Sequence, residues 1–444
     1  MVVQNDFPIP LRKSYLERLL QAVTTYENDI LQALHKDFKK PKFETYLSEI
    51  HFVVSDLKYT LHNIDNWTQP KKVRGAFLNF PSSNYIHYEP YGKALIIAPW
   101  NYPFQLAICP LIAAIAAGNS VVLKPSELTI HTTTLITKII QECFDVKHAV
   151  VVQGGIEMSQ TLLNKKWDYI FFTGSTAVGK IVAKAAAENL TPVTLELGGK
   201  NPCIVDETAH LRTAAKRIVW GKFFNAGQTC IAPDYLLVHQ NIKAVFTKLL
   251  IEEVEKAYGA NALLSEDFAR IISLKNWRRL ERLLNQQNCL TGGITNEGLL
   301  YIAPTLLDEP KWDSEVMQEE IFGPILPIIT YQTENDIKKA ITRFEKPLAL
   351  YIFSENHSFA KKIIAQYSFG GGCINDVLLH YVNKRLPFGG VGSSGMGYYH
   401  GKTGFDTFSH QKSILYKPTW LDIPIRYAPY KNKLKKVKKI LYWL

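Results

Sequence analysis

Three short runs carry residue types that can do chemistry. Gly227-Gln228-Thr229-Cys230 brings a thiol to the end of a polar, glycine-containing approach. Glu196-Leu197-Gly198-Gly199-Lys200, which begins 34 residues before that thiol, sets an acid and two glycines after the β-type run Val193-Thr194-Leu195. Pro99-Trp100-Asn101-Tyr102-Pro103-Phe104 inserts an amide side chain into an otherwise apolar strand-to-helix junction. An ionised thiol is a nucleophile and a positioned carboxylate is a general base. Each run taken singly also has a plain structural explanation: a buried cysteine, a turn, or a helix N-cap.

Two glycine motifs look like nucleotide sites and differ in their surroundings. Gly390-Val391-Gly392-Ser393-Ser394-Gly395 has dinucleotide spacing, but it follows Leu386-Pro387-Phe388 rather than a strand and opens no clear helix. It reads as a tight, glycine-dependent loop. Gly174-Ser175-Thr176-Ala177-Val178-Gly179-Lys180 nearly matches a triphosphate loop and fails at Ile181, where a magnesium-holding Ser or Thr belongs. That loop does follow a strand, Tyr169–Phe172, and open a helix. Backbone N–H groups at a helix start favour an anionic phosphate, and a dinucleotide pyrophosphate needs no magnesium there. Lys124-Pro125-Ser126-Glu127 directly follows the run Val121–Leu123, at the strand end where open parallel sheets bind ligands. Taken alone, it reads better as a solvated turn.

The elements that must position these residues alternate in kind. Leu16, Leu19, Leu20, Val23, Ile30, Leu31 and Leu34 recur at helical spacing within a helical region from about Leu11 to Trp67. Tyr85–Glu89 predicts a short strand of a hairpin or arm. Strand runs at Ala94–Ile97, Val121–Leu123, Val150–Val152 and Tyr169–Phe172 are then each followed by a helix-like stretch: Leu106–Ala117, Thr132–Cys143, Met158–Asn164 and Val178–Glu188. This alternation predicts βαβ units and a parallel sheet buried on both faces. A second α/β region from Gly199 to Phe408 has strand runs at Cys203–Val205, Leu236–Val238, Ile325–Ile329, Leu350–Phe353 and Cys373–Asn375.

Composition excludes several classes. With 444 residues, 47% apolar and 20% charged, the chain has the make-up of a multi-domain globular protein. Cys109, Cys143, Cys203, Cys289 and Cys373 are scattered like Cys230, without Cys-x-x-Cys pairs or histidines at ligand spacing, so no metal site is expected. The start Met1–Asp6 lacks a basic, apolar leader, which predicts a cytoplasmic protein. Residues 426–444 carry +7 of the formal net charge of +11, leaving +4 for the body and no case for nucleic-acid binding. In that tail Tyr430, Leu434, Val437, Leu441 and Leu444 recur every three or four residues between lysines. The pattern suits a basic amphipathic helix on an anionic membrane surface, and also a solvated or subunit-packing tail.

Taken in order, the motifs resemble the aldehyde dehydrogenase superfamily. The resemblance covers about residues 90–410 and rests on Pro99-Trp100-Asn101, Lys124–Glu127, Phe172-Thr173-Gly174-Ser175, Glu196–Lys200, Gly227–Cys230, Glu320-Ile321-Phe322-Gly323-Pro324 and Pro387-Phe388-Gly389-Gly390. The passage from Gly397-Tyr398-Tyr399-His400-Gly401-Lys402 to Phe408-Ser409-His410 is similar to the class 3 branch, which includes fatty and aromatic aldehyde enzymes. The resemblance implies an α/β fold: a Rossmann-like parallel-sheet cofactor domain (1–70 and 93–198), an α/β catalytic domain (199–408), a small β oligomerisation arm (71–92 and 409–425) making a homodimer, and the tail 426–444.

It also implies the chemistry. Cys230 attacks the aldehyde, and Asn101 with the Cys230 backbone N–H stabilises the oxyanion, each such donor being worth ~3 kcal/mol. Oxidation leaves a thioester, which Glu196 hydrolyses by activating water. Glu320 binds the nicotinamide ribose, Phe322 packs beside the cofactor, Gly174, Ser175 and Gly179 form the phosphate loop, and Lys124 and Glu127 meet the adenosine ribose. An acid at Glu127 favours NAD, with Lys124 leaving NADP tolerated. Tyr102 and His400 line the aldehyde's approach. A membrane-surface tail makes apolar long-chain, aromatic or polyene and isoprenoid aldehydes the expected substrates. CoA-acylating dehydrogenation and redox-free cysteine thioester hydrolysis are the alternatives.

Overall fold

The computed structural model describes residues 7–442. Met1–Asp6, on which the reading of the start rests, and Trp443–Leu444 at the end of the tail lie outside the described residues.

Two parallel sheets organise the chain. The first runs Gly395–Met396, Val193–Glu196, Tyr169–Thr173, Lys93–Ile97, Ser120–Lys124, Ala149–Val151, all parallel except the Gly395–Met396 edge. Its β-branched and aromatic strands bury both faces; every residue of Tyr169–Thr173 is buried. The helix Gln105–Ala117 is apolar on all sides and accordingly sits inside the core, tolerating Pro110 within it. The N-terminal helices Ile9–Thr25, Glu27–Phe38 and His51–Trp67 wrap that side of the sheet, presenting Leu16, Leu19, Ile30, Leu34, Val53 and Leu57 inward.

The second sheet runs Cys289–Thr291, Thr305–Asp308, Ile325–Tyr331, Tyr235–His239, Pro202–Val205, Ala349–Phe353, Gly371–Ile374, parallel except at its first pair. Its helices include Leu211–Phe223, Lys243–Tyr258 and Leu274–Leu284. The third sheet joins the segments expected to form the arm: Ser83–Pro90 pairs antiparallel with Lys71–Val73 and, over its full length, with Ser409–Tyr416.

One stretch crosses between the two large units. Within the span expected to be catalytic, Gly395 and Met396 pair with Glu196 and Leu195 of the first sheet. Glycine makes this approach possible, since a Cβ on Gly395 would lie 2.6 Å from the Leu195 carbonyl and one on Gly390 2.1 Å from that of Ser394. The Gly390–Gly395 run is therefore a tight turn. The tail contains the helix Lys433–Tyr442, with Leu434 and Leu441 exposed. Among the described residues no helix is long and apolar enough to cross a membrane.

Candidate active site

The loop bearing Cys230 is an unusual piece of backbone. Helix Leu211–Phe223 ends, and Asn225, Ala226 and Gly227 then take φ of 56°, 52° and 72° in succession. At Gly227 the left-handed backbone and a 2.3 Å approach of a would-be Cβ to the Gly323 carbonyl both require glycine. Asn225 and Ala226 hold this conformation against strain of roughly 1 kcal/mol or more each. Hydrogen bonds from all sides fix it. The Asn225 amide donates to the carbonyls of Asn101 (2.9 Å) and Gln228 (3.1 Å), and the Gln228 amide donates to those of Asn225 and Arg270 (both 3.1 Å). Asn201 donates to the Cys230 carbonyl at 2.8 Å, and the Tyr351 hydroxyl to that of Ile231 at 2.7 Å.

Cys230, Glu196 and Tyr102 meet in one cavity of about 270 Å³. Its inner end holds Cys230, Glu196 and Thr173; its outer end is framed by the exposed Leu47, Leu379 and Val382, and its wall is almost wholly apolar. Glu196 terminates its strand next to Thr173, its register partner. Both Glu196 carboxylate oxygens are buried and accept no hydrogen bond from the described residues. Burial accordingly holds this carboxyl well above the ordinary carboxylate range. The Cys230 thiol faces the cavity but is deep within protein; burial, then the charges of Glu320 and Glu196, push it up to about 12. This site needs a positive charge before it can hold a thiolate.

Asn101 is buried and tied to the same loop, donating to the Gln228 carbonyl at 3.1 Å. A primary amide has two N–H donors, so a second remains for an oxyanion. The Tyr102 hydroxyl lies 2.6 Å from Thr229 Oγ1, adjacent to Cys230.

Beneath this runs a buried ionic lattice from the N-terminal helices. The π-turn Tyr46–Ile50 follows directly on Lys42–Thr45; widening to i→i+5 bonding lets Glu44 and Glu49, five residues apart, both point inward. Glu49 accepts from Lys40 Nζ (2.7 Å) and from the N–H groups of Phe104 (3.1 Å) and Gln105 (2.9 Å), capping the start of Gln105–Ala117. Lys40 also lies 3.9 Å over the Tyr102 ring, and Glu44 accepts from the Asn225 N–H at 2.9 Å. One lattice thus grips both the Asn101 segment and the Cys230 loop.

On the other side of Cys230 the residues fit a dinucleotide. Ser175 caps helix Thr176–Ala187, accepting from the Val178 N–H, which leaves a helix start for phosphate oxygens. Gly179 is buried in that helix, where a Cβ would meet Leu197 at 2.7 Å, so it sets how closely helix and sheet pack. Lys124 and Glu127 pair at 2.7 Å beyond the strand Ser120–Lys124. Glu320 is the most telling: burial pushes its carboxyl up to about 8, its Oε1 accepts no hydrogen bond from the described residues, and Gly198 leaves it room, a Cβ there lying 2.2 Å from Glu320 Oε2. Such a buried acceptor suits ribose hydroxyls. Phe322, at φ 50°, packs edge-on against Trp100 with ring centroids 5.4 Å apart.

The profile of the aldehyde dehydrogenase family matches residues 4–414. The chain belongs to the aldehyde dehydrogenase family. It is 51% identical over 437 residues to 4,4'-diaponeurosporen-aldehyde dehydrogenase of Staphylococcus aureus, covering 98% of this chain and 95% of that protein. It is 43% identical to the dimeric NADP-preferring aldehyde dehydrogenase of Canis lupus familiaris, over 95% of this chain and 94% of that one. A solved structure of Staphylococcus aureus AldH in a substrate-bound state superposes with a TM-score of 0.96 at 50% identity, covering 99% of this chain and 96% of that chain. The protein is thus an aldehyde dehydrogenase that oxidises aldehydes with NAD or NADP, with the mixed α/β, Rossmann-like fold of that family.

Within this aldehyde dehydrogenase, His400 departs from its expected position. It begins the turn into helix Gly401–Thr407 at φ 92° and points inward, stacked on Phe388 and packed against Phe52, Tyr381 and Tyr399. Those four rings line the cavity, and His400 sits behind them, kept neutral by burial that lowers it to about 3. The residues that sequence reasoning missed are Lys40, Glu44 and Glu49, and the cavity walls Trp220, Phe224 and Tyr381. Charges in a helical stretch read as solvated, and nothing local announces a π-turn. The aromatic walls come from elements far apart in the chain.

Proposed function

We propose that the enzyme oxidises apolar aldehydes (long-chain, aromatic, or polyene and isoprenoid) to carboxylic acids, with NAD preferred over NADP. The observation that carries this is the cavity: Cys230 and an unpartnered Glu196 lie at the inner end of a wall built from apolar and aromatic side chains. The Staphylococcus aureus relative is named for 4,4'-diaponeurosporen-aldehyde, which supports the same substrate class.

In this reading the Cys230 thiolate adds to the aldehyde carbon, and the free Asn101 N–H with the Cys230 N–H donates to the resulting oxyanion. When bound, the nicotinamide supplies the hydride acceptor and a positive charge. The acyl group stays on Cys230 as a thioester. Glu196, whose raised affinity for protons suits a base, takes a proton from water as that water attacks the thioester carbon; the C–S bond then breaks, returning the sulfur to Cys230 and releasing the carboxylic acid. Glu320 and Phe322 hold the nicotinamide ribose region, Gly174 and Ser175 the phosphates, and Lys124 with Glu127 the adenosine ribose. The Lys124–Glu127 pair favours NAD, because a 2′-phosphate must compete with the Glu127 carboxylate for Lys124. A hydrolytic outcome is favoured over acyl transfer to CoA by Glu196 at the thiol. Redox-free thioester hydrolysis lacks support, since among the described residues no histidine is hydrogen-bonded to Cys230.

The arm strand Ser409–Tyr416, largely exposed, suits a homodimer, and the Canis lupus familiaris relative is named as dimeric. The lysine-rich helix Lys433–Tyr442 suits attachment to an anionic membrane from the cytoplasmic side. The test is a panel of aldehydes of increasing chain length in detergent micelles, followed by NADH or NADPH formation. The expected result is kcat/KM rising with chain length and higher with NAD; a preference for short polar aldehydes overturns the substrate reading, and a strong NADP preference the cofactor reading.

A further inference from the structure

The two segments that frame the cavity mouth share a surface chemistry. Phe43, Tyr46 and Leu47 lie on one, Leu379, Val382 and Leu386 on the other, and all six are exposed, Phe43 by 70% and Val382 by 56%. Leu47, Leu379 and Val382 also line the cavity, so its apolar wall continues onto the outer surface between the polar lining residues Ser48, His51, Ser55 and Lys384. Cations stand among these side chains: Lys42 beside Phe43, Arg385 beside Leu386, and Lys58, which shares a face of helix His51–Trp67 with the cavity residues His51 and Ser55. Among the described residues Lys42, Lys58 and Arg385 are in no ion pair.

Acids are missing from the outside of this rim. The three between residues 39 and 58 are Glu44, Glu49 and Asp56, all buried, and residues 377–386 contain none. At the flank, Asp376 faces Arg217 at 3.7 Å. Exposed aromatic and aliphatic side chains interspersed with unpaired cations are what an anionic lipid interface selects: the apolar groups enter the acyl boundary while the cations meet headgroup phosphates. Isolated exposed apolar residues need no explanation, but six around one opening do.

We propose that the mouth face, through Phe43, Tyr46, Val382 and Leu386 with Lys42, Lys58 and Arg385, docks on an anionic lipid bilayer so that an aldehyde dissolved there slides into the cavity without crossing water. This is a separate contact from the tail helix. It rests on the reading of the substrate as an apolar aldehyde, but the docking itself does not require turnover.

The test uses the full chain and large vesicles of phosphatidylcholine with or without phosphatidylglycerol. Two rim variants are compared with the wild type: Phe43→Ser/Tyr46→Ser/Leu386→Ser, and Lys42→Gln/Lys58→Gln/Arg385→Gln. A tail variant, Leu434→Ser/Leu441→Ser, is the third arm. Co-sedimentation reads binding; NADH or NADPH formation reads turnover of a long-chain aldehyde held in the vesicles and of a short soluble aldehyde in buffer. The expected result is a fall of roughly tenfold in binding to anionic vesicles and in vesicle-borne turnover for each rim variant, with short-aldehyde kcat/KM within about twofold of wild type. Retained short-aldehyde activity shows that the variants fold.

Rim variants that bind and turn over as the wild type, or wild-type binding that ignores phosphatidylglycerol, overturn the proposal. So does complete loss of binding in the tail variant with none in the rim variants. If the wild type binds through the rim but fails on long-chain aldehydes in micelles, the docking stands and the substrate reading falls.

Discussion

Glu49 offers the sharpest test of how the site is held. Its carboxylate, fully buried, answers one buried ammonium and two backbone N–H groups within 3.1 Å. In Glu49→Ala, Lys40 loses its hydrogen-bonded carboxylate and is left buried with only aromatic rings and the more distant charge of Glu44, at about 3–5 kcal/mol for a broken buried pair, and each orphaned N–H adds roughly 1 kcal/mol or more. A loss on the order of 5 kcal/mol is comparable to the whole stability of many domains, so this variant is expected largely insoluble. Glu49→Gln keeps one acceptor oxygen and the shape, and is expected to lose about 2–3 kcal/mol. Because only Pro103 separates Phe104 and Gln105 from Asn101 and Tyr102, the oxyanion donor loosens as well; a shift of that donor lowers kcat about 10–100-fold with little change in KM. Lys40→Met/Glu49→Gln removes both charges and should recover roughly 2 kcal/mol relative to the sum of the single variants. The assay is denaturant unfolding followed by tryptophan fluorescence, with kcat and KM on a short aldehyde. If Glu49→Gln loses under about 0.5 kcal/mol, or the double variant shows no coupling, the lattice does not support the site as argued.

Other expectations follow from the same geometry. Asn101→Ala should lower kcat by about 10²–10³, with aldehyde KM changing far less, because the lost donor acts on the oxyanion; an equal effect on KM would make Asn101 a binding residue instead. Without cofactor, the Cys230 thiol at about 12 should be alkylated by iodoacetamide at a rate rising roughly tenfold per pH unit from 7 to 10, and adding NAD at pH 7.5 should speed it. A flat pH profile in the free enzyme would mean that the thiolate is preformed. Gly198→Ala would drive a Cβ to 2.2 Å from the Glu320 carboxylate and should weaken NAD binding, measured by fluorescence titration, roughly tenfold or more; unchanged affinity would detach Glu320 from the cofactor.

The strands were readable because aliphatic and aromatic residues concentrate in runs such as Tyr169–Phe172 and Leu236–Val238, where burial on both faces leaves no polar alternation to confuse them. The Gly395–Met396 strand has no such signature; it exists because glycines let the chain approach Leu195. In the candidate site, Cys230, Glu196 and Tyr102 do share a cavity, as the motifs suggested. His400 does not reach it, since the backbone turn at that residue, which its identity does not reveal, aims the ring into the aromatic cluster. Lys40, Glu44 and Glu49 were hidden for a different reason: pairing across helices, and a π-turn, turn apparent surface charges into core ones.

The division of labour between Cys230 and Glu196 is tested most directly by single-turnover kinetics on Glu196→Gln with mass spectrometry of the intact protein. Cofactor reduction should proceed to about one equivalent per site and then stall, with the acyl group of the aldehyde carried on Cys230, while Cys230→Ala gives neither reduction nor adduct. Steady turnover by Glu196→Gln at the wild-type rate, or any aldehyde oxidation by Cys230→Ala, would contradict the account.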